Sequence, residues 1–467
     1  MVQTIIGIVI AIIIFGILVL IHEFGHFIFA KKFGVTVNEF SIGMGPRLFS
    51  RVAKSGTRYS IKALPIGGSC AMLGEDEDNM EEGSFNSKPR WQRMLIVFAG
   101  PLFNFLLAFL LSLIVIGFAG TDPSYVTHVE GENPNVVVQS KGKAKSVEEK
   151  MKQQAVANAI PQTQSNAYKA GLRSGDKITN FDGAWISIGR ELYVEEYTNP
   201  IKKDPITLTY ERNGKKRTIT YKPDKENKYL LGISYSSGAS APVLNQITKG
   251  SAMDKAGVRA KDEVEKINGV KVSSGEEINK YLQEHPLDGS KVTFLIKRGS
   301  KTFEVKVKPK KQDVYSTGFT YNLQRERQGF FGTIKYSFVE RRYEVVTVLK
   351  SLKMLITGGV SANEVSGPVG IVSVIGDTYK ENSQHGFGIT LLALLNLAIM
   401  LSANLGVMNL LPIPALDGGR LLIYIIEAIT RKNIPKDKEG MIHFIGFIIL
   451  MALMVFLVFN DVRKLIF

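Results

Sequence analysis

Three residues near the N-terminus have the types and the spacing of a metal site with an adjacent base. His22 and His26 stand four residues apart, and Glu23 directly follows the first of them. On a helix this spacing places both imidazoles on one face, where they can bind one metal ion with Glu23 beside it as a general base. The three residues end a long apolar run that starts at Ile5. Because polar groups are costly in hydrocarbon and mark functional sites, we predict a metal centre rather than a chance match to a short pattern.

The distribution of charge predicts how the chain crosses a membrane. The 467 residues are 45% hydrophobic and carry a net charge of +15, with apolar runs near both ends flanking a polar, Lys-rich middle. No Lys or Arg occurs in the first 21 residues, whereas the stretch from Lys31 to Arg93 contains ten, which the positive-inside rule assigns to the cytoplasm. The N-terminus is then outside and the metal motif lies near the cytoplasmic face. The basic residues of the middle region mix with acidic ones and form no basic helix interleaved with aromatics, so we predict no nucleic-acid partner.

These patterns predict an α-helical membrane protein with four transmembrane helices and a membrane-associated β-region, carrying two tandem α+β domains. The transmembrane helices are expected at about 5–28, 95–119, 387–411 and 441–459. Residues 35–73 alternate or carry β-forming residues around Gly43 and Gly45, which predicts short strands with a Gly-rich turn. The expected division is 1–120 and 386–467 for the two halves of the membrane core, 121–236 and 237–325 for the two domains, and 326–385 for an amphipathic segment on the membrane surface with its connector.

The third metal ligand has two candidates. A catalytic zinc usually takes three protein ligands and leaves one position for water. Of the other four histidines, three fall on the outer side by this topology, and only His443 lies at the level of His22 and His26. Asp417, which follows two prolines and should stand on irregular backbone, lies at the same depth. The residues favour Asp417, with His443 as the alternative ligand and a helix cap as the alternative role for Asp417.

Two further features of the sequence also have two interpretations each. Asn104, in the second apolar segment after Gly100 and Pro101, is a candidate for substrate binding, with a contact between helices as its alternative. The acidic loop from Glu75 to Glu82 is expected to be solvated, with a second cation site as the alternative. The single Cys70 excludes a disulfide within the chain and any paired-cysteine metal site.

An internal repeat fills the middle region. Residues 170–173, Ala-Gly-Leu-Arg, recur 86 residues later as Ala-Gly-Val-Arg, and the same offset maps Asp176 onto Asp262. The pattern resembles the PDZ domains of bacterial proteases, which implies that each copy binds an extended peptide or gates access to another site. The first copy departs from the family pattern by a long insertion, about Lys141 to Gln164.

Together, the motif around Glu23, the Gly100-Pro101 pair with Asn104, and residues 409–420 resemble the site-2 protease family, most closely its bacterial members with tandem PDZ domains that regulate sigma-E. The resemblance implies Zn²⁺ as the cofactor, with His22, His26 and Asp417 as its ligands and Glu23 as the catalytic base. It further implies that Asn409 contacts the substrate or the developing oxyanion. Gly43 and Gly45 would belong to a membrane-embedded β-loop that pairs with unwound substrate.

The expected activity is hydrolysis of peptide bonds within transmembrane segments of membrane proteins, such as anti-sigma factors or signal-peptide remnants. The expected substrates have first been cleaved by another protease, and the PDZ-like pair gates their access. The protein should lie in the bacterial inner membrane, in contact with the lipid bilayer, with both termini and the PDZ-like domains outside. Two rival hypotheses are a peptide-binding membrane protein with a non-catalytic metal and a transporter with an intramembrane cation site. The first is disfavoured because a structural zinc is normally closed by four protein ligands, and the second because no inverted repeat relates the membrane segments.

Overall fold

The fold was analysed in a computed structural model, which describes residues 2–75, 77, 79–132, 164–235, 241–360, 365–432 and 434–466. These residues group into two compact units. Unit 1 comprises Met1–Pro123, Ser187–Thr198 and Leu323–Phe467, and unit 2 comprises Ser124–Ile186 and Asn199–Asn322. The predicted insertion from Lys141 to Gln164 lies, apart from Gln164, outside the described residues.

Unit 1 is built on helices. In chain order they are α1 (Val2–Lys32), α2 (Arg90–Ala119), α4 (Gly189–Thr198), α7 (Phe330–Ile356), α8 (Pro368–Ser383), α9 (Phe387–Leu410), α10 (Asp417–Thr430) and α11 (Lys436–Ile466), while α3, α5 and α6 belong to unit 2. Four stretches are long and apolar enough to cross a membrane: Ile5–Lys32, Arg90–Ala119, Phe387–Leu410 and Asp437–Arg463. The four apolar helices expected from the sequence are therefore present among the described residues.

Between α1 and α2 the chain forms a bent sheet from two long strands, β1 (Val37–Val52) and β2 (Arg58–Met72). Residues 37–42 pair with 68–72 on one side and with 58–61 on the other, and residues 47–52 pair with 58–62. Gly43 and Gly45, with φ of 84° and 87°, lie where β1 bends between these two sets of partners. Glu39 fixes the bend, because its carboxylate accepts hydrogen bonds from Arg47 Nε at 2.7 Å and Ser60 Oγ at 2.6 Å. The predicted β-region is confirmed, with longer strands than expected.

The amphipathic segment after unit 2 is the helix α7, as its spacing predicts. One face of α7 contacts α2, where Arg341 donates to Ser112 Oγ at 2.6 Å. Another face contacts α4 through buried ion pairs. Arg190 of α4 donates to Glu340 at 2.9 Å and to Asp122, a residue that is 1% exposed. A carboxylate buried this deeply costs free energy unless it is paired with an opposite charge, which Arg190 supplies.

The remaining helices of unit 1 pack through small residues and one buried cap. Gly7 of α1 and Gly376 of α8 touch so closely that a Cβ on Gly7 would lie 2.7 Å from the Gly376 Cα. The helix α8 begins at Pro368, within the connector expected after the amphipathic segment. Its N-terminus is capped by Asp461 of α11, whose carboxylate accepts from the N–H groups of Gly367 and Gly370 at 3.0 and 2.8 Å.

Unit 2 contains the repeat, and each copy has a four-stranded sheet with order β5-β4-β6-β7 or β12-β11-β13-β14. The first copy consists of β3 (Val126–Val129), α3 (Asn166–Lys169), β4 (Lys177–Phe181), β5 (Ala184–Trp185), β6 (Ile206–Arg212), β7 (Lys215–Tyr221), β8 (Asp224–Leu230) and β9 (Ile233–Tyr235). The second consists of β10 (Leu244–Ile247), α5 (Ala252–Lys255), β11 (Glu263–Ile267), β12 (Val270–Lys271), α6 (Gly275–Glu284), β13 (Val292–Arg298), β14 (Lys301–Val307), β15 (Lys310–Ser316) and β16 (Phe319–Tyr321).

Each copy contains an equivalent ion pair between an arginine and a buried aspartate. Arg212 and Asp176 in the first copy are joined at 2.6 Å, and Arg298 and Asp262 in the second at 2.7 Å. The arginine is the last residue of β6 or β13, and it pairs with an aspartate in the turn just before β4 or β11. The offset of 86 residues found in the sequence therefore relates equivalent positions in three dimensions.

The two copies exchange their last strands. β9, at the end of the first copy, pairs with β10 of the second, and β16, at the end of the second copy, pairs with β3 of the first. Between them β8 and β15 form an antiparallel ladder from Asp224–Ser316 to Leu230–Lys310. Strand pairing therefore crosses the expected boundary between 236 and 237, because each copy is completed by a strand from the sequence of the other.

Candidate metal centre

His22, His26 and Asp417 converge in the structure. The two Nε2 atoms lie 3.2 Å apart, and Asp417 Oδ2 lies 3.1 Å from His22 Nε2 and 3.5 Å from His26 Nε2. Both histidines are 8% exposed. One helical turn of α1 thus supplies two potential ligands, and the start of α10, almost 400 residues later in the chain, supplies the third.

The spacing of these atoms fits a zinc ion. Nitrogen and oxygen atoms bound about 2.0–2.1 Å from one tetrahedral zinc lie roughly 3.3 Å from each other. The three observed separations lie close to that value. Two imidazole lone pairs and a carboxylate would repel one another at these distances unless a cation or protons lay among them. The donor set of two histidines and a carboxylate is also one that zinc accepts.

The other ring nitrogens are held by neighbours on α2. His26 Nδ1 lies 2.9 Å from the carbonyl oxygen of Ile96, so this nitrogen donates and Nε2 keeps its lone pair for a metal. The amide of Asn104 lies 3.0 Å from His22 Nδ1. The oxygen and nitrogen of an amide have interchangeable positions, and metal binding through His22 Nε2 requires the orientation in which the amide oxygen accepts the Nδ1 proton. Asn104, which is fully buried, is therefore suited to orienting His22.

Two glycines let α1 and α2 approach at the site. A Cβ on Gly100 would lie 2.3 Å from His26 Nε2 and 2.8 Å from His22 Cε1. A Cβ on Gly25 would lie 2.3 Å from the carbonyl oxygen of Ala99. Both distances are shorter than any side chain tolerates, so the imidazoles occupy space that only glycine leaves open.

Asp417 is the first residue of α10, so the expectation of irregular backbone at this position is wrong by one residue. The irregular segment ends at Leu416, which is the N-cap and makes no side-chain capping bond. The carboxylate of Asp417 does not cap the helix but points to the imidazoles. Burial works against its ionisation, but His26 and His22 outweigh that effect and hold the pKa of Asp417 below its usual value.

The helix that carries Asp417 is fixed to the first half of unit 1 by charges. Arg420, one turn beyond Asp417, is paired with Glu75 at the start of the acidic loop. Further along, the 3% exposed Glu427 lies within 3.8 Å of Arg90 and 3.7 Å of Arg93 on α2. Glu75 thus has an arginine as partner, which favours a structural role over a second cation site.

Glu23 lies between the two histidines in sequence and faces the sheet. A Cβ on Gly68 of β2 would lie 2.9 Å from the Glu23 Cγ and 3.1 Å from a methyl carbon of Val19. Gly68 of β2 therefore lies directly against the proposed base. Only glycine at position 68 permits this approach, which the sequence analysis missed, although Gly67-Gly68 within a β-forming stretch is a signal of close backbone contact.

The other predicted residues are placed as follows. Asn409 lies in the last turn of α9, half-buried. Gly43 lies so close to the neighbouring strand segment that a Cβ would be 2.4 Å from the Leu64 carbonyl oxygen, whereas Gly45 has more space. His443 is not part of the cluster of potential ligands found among the described residues, because its Nδ1 accepts a hydrogen bond of 2.9 Å from the N–H of Ala415.

Comparison with known proteins gives consistent matches along the chain. Residues 10–453 match peptidase family M50. The zinc metalloprotease RasP of Geobacillus kaustophilus is 30% identical over 478 residues, covering 99% of each chain. The regulator of sigma-W protease RasP of Bacillus subtilis is 28% identical over 443 residues, covering 93% of each chain. Among solved structures, the HtrA3 PDZ domain bound to a phage-derived ligand matches 20% of this chain and 93% of that chain, with 19% identity and a TM-score of 0.17. The chain therefore belongs to peptidase family M50, the site-2 protease family, and is an intramembrane zinc metalloprotease.

Proposed function

We propose that His22, His26 and Asp417 hold the catalytic zinc, that Glu23 is the general base, and that the enzyme cleaves substrates already trimmed by another protease. The observation that carries this assignment is the convergence of the three ligand atoms within 3.5 Å of one another. They come from opposite ends of the chain, and each histidine has a buried partner that leaves its Nε2 available.

The chemistry divides between the cofactor and the chain. Bound zinc supplies a Lewis acid that activates water and polarises the scissile carbonyl. Glu23 takes the proton from the attacking water and returns it to the leaving amine, so the same carboxylate acts first as a base and then as an acid. His26 and His22 keep the orientation set by the Ile96 carbonyl and the Asn104 amide.

The sheet between α1 and α2 is the proposed substrate platform. A peptide bond inside a helix is shielded by its own turn, so the substrate must unwind, and its free backbone groups then need partners. Gly68 of β2 lies against Glu23, so an extended substrate that pairs with this sheet would pass close to the base. Gly43 and Gly45 shape the bend of this sheet, and Asn409 is the proposed side-chain contact to substrate. The expected substrate contact by Asn104 is replaced by a proposed role in orienting His22, because Asn104 is fully buried beside that imidazole.

The location and the partners follow from charge and from the relatives. We place the protein in the bacterial inner membrane with its termini and the repeat domains outside, since ten Lys and Arg lie between Lys31 and Arg93. The name of the Bacillus subtilis relative, a regulator of sigma-W protease, supports anti-sigma factors as substrates. The PDZ-like pair would then admit only membrane proteins that have lost their bulky outer part.

The test is Glu23→Gln in the purified full-length protein, given a model membrane substrate. We expect cleavage to fall by at least a hundredfold while zinc stays bound, since general base catalysis contributes about 10²–10⁴-fold. Glu82→Gln, which alters an exposed acid of the cytoplasmic loop, is the matched control and should cleave normally. Undiminished cleavage by Glu23→Gln with zinc retained would show that the base is assigned wrongly.

A further inference from the structure

The end of the β1–β2 hairpin exposes an unusual number of apolar side chains. Six of them are between 51% and 71% exposed, namely Met44, Leu48, Phe49, Val52, Ile61 and Leu64. From Met44 to Val52 the side chains of β1 are uncovered. Apolar side chains that are clustered rather than scattered mark a surface that contacts something other than water. We call residues 44–64 the basic hairpin.

The same hairpin carries only positive charge. Between Phe40 and Gly74 the sequence contains five Lys and Arg and no Asp or Glu. Arg47 and Lys62, nearer the core, lie 2.7 and 3.5 Å from the Glu39 carboxylate. The three cations at the far end, Arg51, Lys54 and Arg58, form no ion pair within the part of the chain that the structure describes. Arg58 stands in register with Glu39, but that carboxylate is already paired with Arg47 and Lys62.

The cross-strand register distributes these charges over both faces. Arg51 stands opposite Tyr59 on one face, and Val52 stands opposite Arg58 on the other. One step back, Phe49 and Ile61 pair on the face of Arg51. The tip is therefore charged all round, with apolar side chains behind it. A protein partner bound to one face would leave the cations of the other face without a counter-charge. A planar anionic surface that contacts the tip would reach the cations of both faces.

We propose that the basic hairpin docks on the anionic phospholipids of the cytoplasmic leaflet. Its apolar side chains enter the boundary between headgroups and acyl chains, and the Arg and Lys side chains reach the lipid phosphates. The inference rests on the proposed function for the side of the membrane on which the hairpin lies. Docking holds the sheet in place next to the base, because Gly68 of the same sheet lies against Glu23.

The test uses the full-length protein in lipid nanodiscs. A fluorescent probe is attached through Ser55→Cys at the hairpin turn, in a background where the buried Cys70 is replaced by Ala. Emission and quenching by nitroxide lipids are compared in phosphatidylcholine discs and in discs that contain phosphatidylglycerol. We expect a blue shift and stronger quenching only with the anionic lipid, and we expect high salt to reverse both.

The charge-neutral variant Arg51→Gln/Lys54→Gln/Arg58→Gln should lose this response. With about 1 kcal/mol for each cation at an anionic surface, the ratio of docked to undocked hairpin should fall on the order of a hundredfold. Lys215→Gln/Lys216→Gln/Arg217→Gln removes three exposed cations from β7 and is the matched control, which should respond like the parent protein.

Three outcomes would overturn the proposal. They are the same emission in both kinds of disc, a full anionic response in the neutralised variant, and a shift caused by soluble polyglutamate but not by phosphatidylglycerol, which would indicate an acidic protein partner. Both faces of a nanodisc carry the same lipid, so the result does not depend on topology. Labelling of Ser55→Cys by a membrane-impermeant reagent in inverted and right-side-out vesicles tests the topology separately.

Discussion

The N–H of Ala415 donates a hydrogen bond of 2.9 Å to Nδ1 of His443. Ala415 has a φ of 73°, a conformation that costs a residue with a side chain about 1 kcal/mol or more and persists only when its surroundings hold it. One turn along α11, a Cβ on Gly446 would lie 2.4 Å from the Pro414 Cβ. Two adjacent contacts from α11 thus hold the segment that leads directly into Asp417.

This relationship predicts different zinc behaviour for two substitutions. Asp417→Ala removes a proposed ligand and should abolish stoichiometric zinc. His443→Ala leaves three ligands, so zinc should bind but should be lost to a chelator several-fold faster, because the segment before Asp417 is no longer held. His443→Asn, which retains an acceptor, should restore much of the slow release. Zinc content after dialysis and the rate of transfer to a chromogenic chelator measure both effects.

Two results would contradict the predictions for Asp417→Ala and His443→Ala. Complete loss of zinc from His443→Ala together with retention by Asp417→Ala would make His443 the third ligand. A release rate for His443→Ala that matches the parent protein would show that the bond to Ala415 contributes nothing to the metal site.

Substitution of Gly100 should weaken zinc binding, as substitution of a metal ligand would. Gly100→Ala places a methyl group 2.3 Å from His26 Nε2, so the imidazoles must move apart and zinc affinity should fall at least tenfold. Gly16→Ala, on α1, is the matched control, since a Cβ there meets no atom within 4 Å. Competition between each variant and a calibrated chelator gives the affinities. Equal affinities for the two variants would contradict the packing described for α1 and α2.

Glu344 on α7 should make stability depend on pH. Burial, reinforced by the neighbouring Glu340, raises the pKa of Glu344 to about 7. A raised pKa means that the fold favours the neutral acid, so stability is complete below the unfolded pKa of about 4.3 and falls as pH rises towards 7 and above. At pH 8 the loss is roughly 3 kcal/mol. Glu344→Gln should therefore unfold at a higher temperature than the parent protein at pH 8.

At pH 5 the same two proteins should unfold at nearly equal temperatures. Glu340→Gln serves as the contrast, because it removes a partner of Arg190 and should destabilise at both pH values. Thermal unfolding in detergent, followed by circular dichroism, gives the comparison. A Glu344→Gln curve parallel to the parent curve across this range would rule out titration of Glu344.

The strand exchange predicts which fragment of the second repeat folds. Leu231 is buried in the core of the second repeat, and Ile233 and Tyr235 pack against that core, although all three precede residue 237. A fragment 237–325 lacks them and should fail to unfold cooperatively. A fragment 224–316 contains β9 and the β8–β15 ladder and should show one cooperative transition in urea. Cooperative unfolding of fragment 237–325 would show that β9 is dispensable for folding of the second repeat.

Much of the membrane core was predictable because its signals are local. The pattern from His22 to His26 predicts a helical face, and long apolar runs predict the four helices that are long and apolar enough to cross a membrane. Spacing left the proposed third ligand open between Asp417 and His443, and the three-dimensional contacts favour Asp417. The roles of Gly25, Gly68 and Gly100 were missed for the same reason, because a glycine marks close approach without indicating the partner.

The repeat shows the same division between local and long-range information. The offset of 86 residues predicted two equivalent domains, and the paired Arg212–Asp176 and Arg298–Asp262 contacts agree with it. Nothing in the offset indicates that the last strand of each copy pairs with the other copy, since an exchanged strand and a retained strand have the same local sequence. Only the pairings of β9 with β10 and of β16 with β3 distinguish them.

The pairing of β3 with β16 also sets an order of events during synthesis. Residues 126–129 must wait for residues 319–321, so the first repeat cannot close until about 190 residues later have left the ribosome. At about 5–20 residues per second that delay is roughly 10–40 s. The strands β9 to β14, which form the second repeat, are all synthesised during this delay, so the second repeat can close first. The later half of the pair is thus the first to mature, and the earlier half spends the delay with an open strand edge.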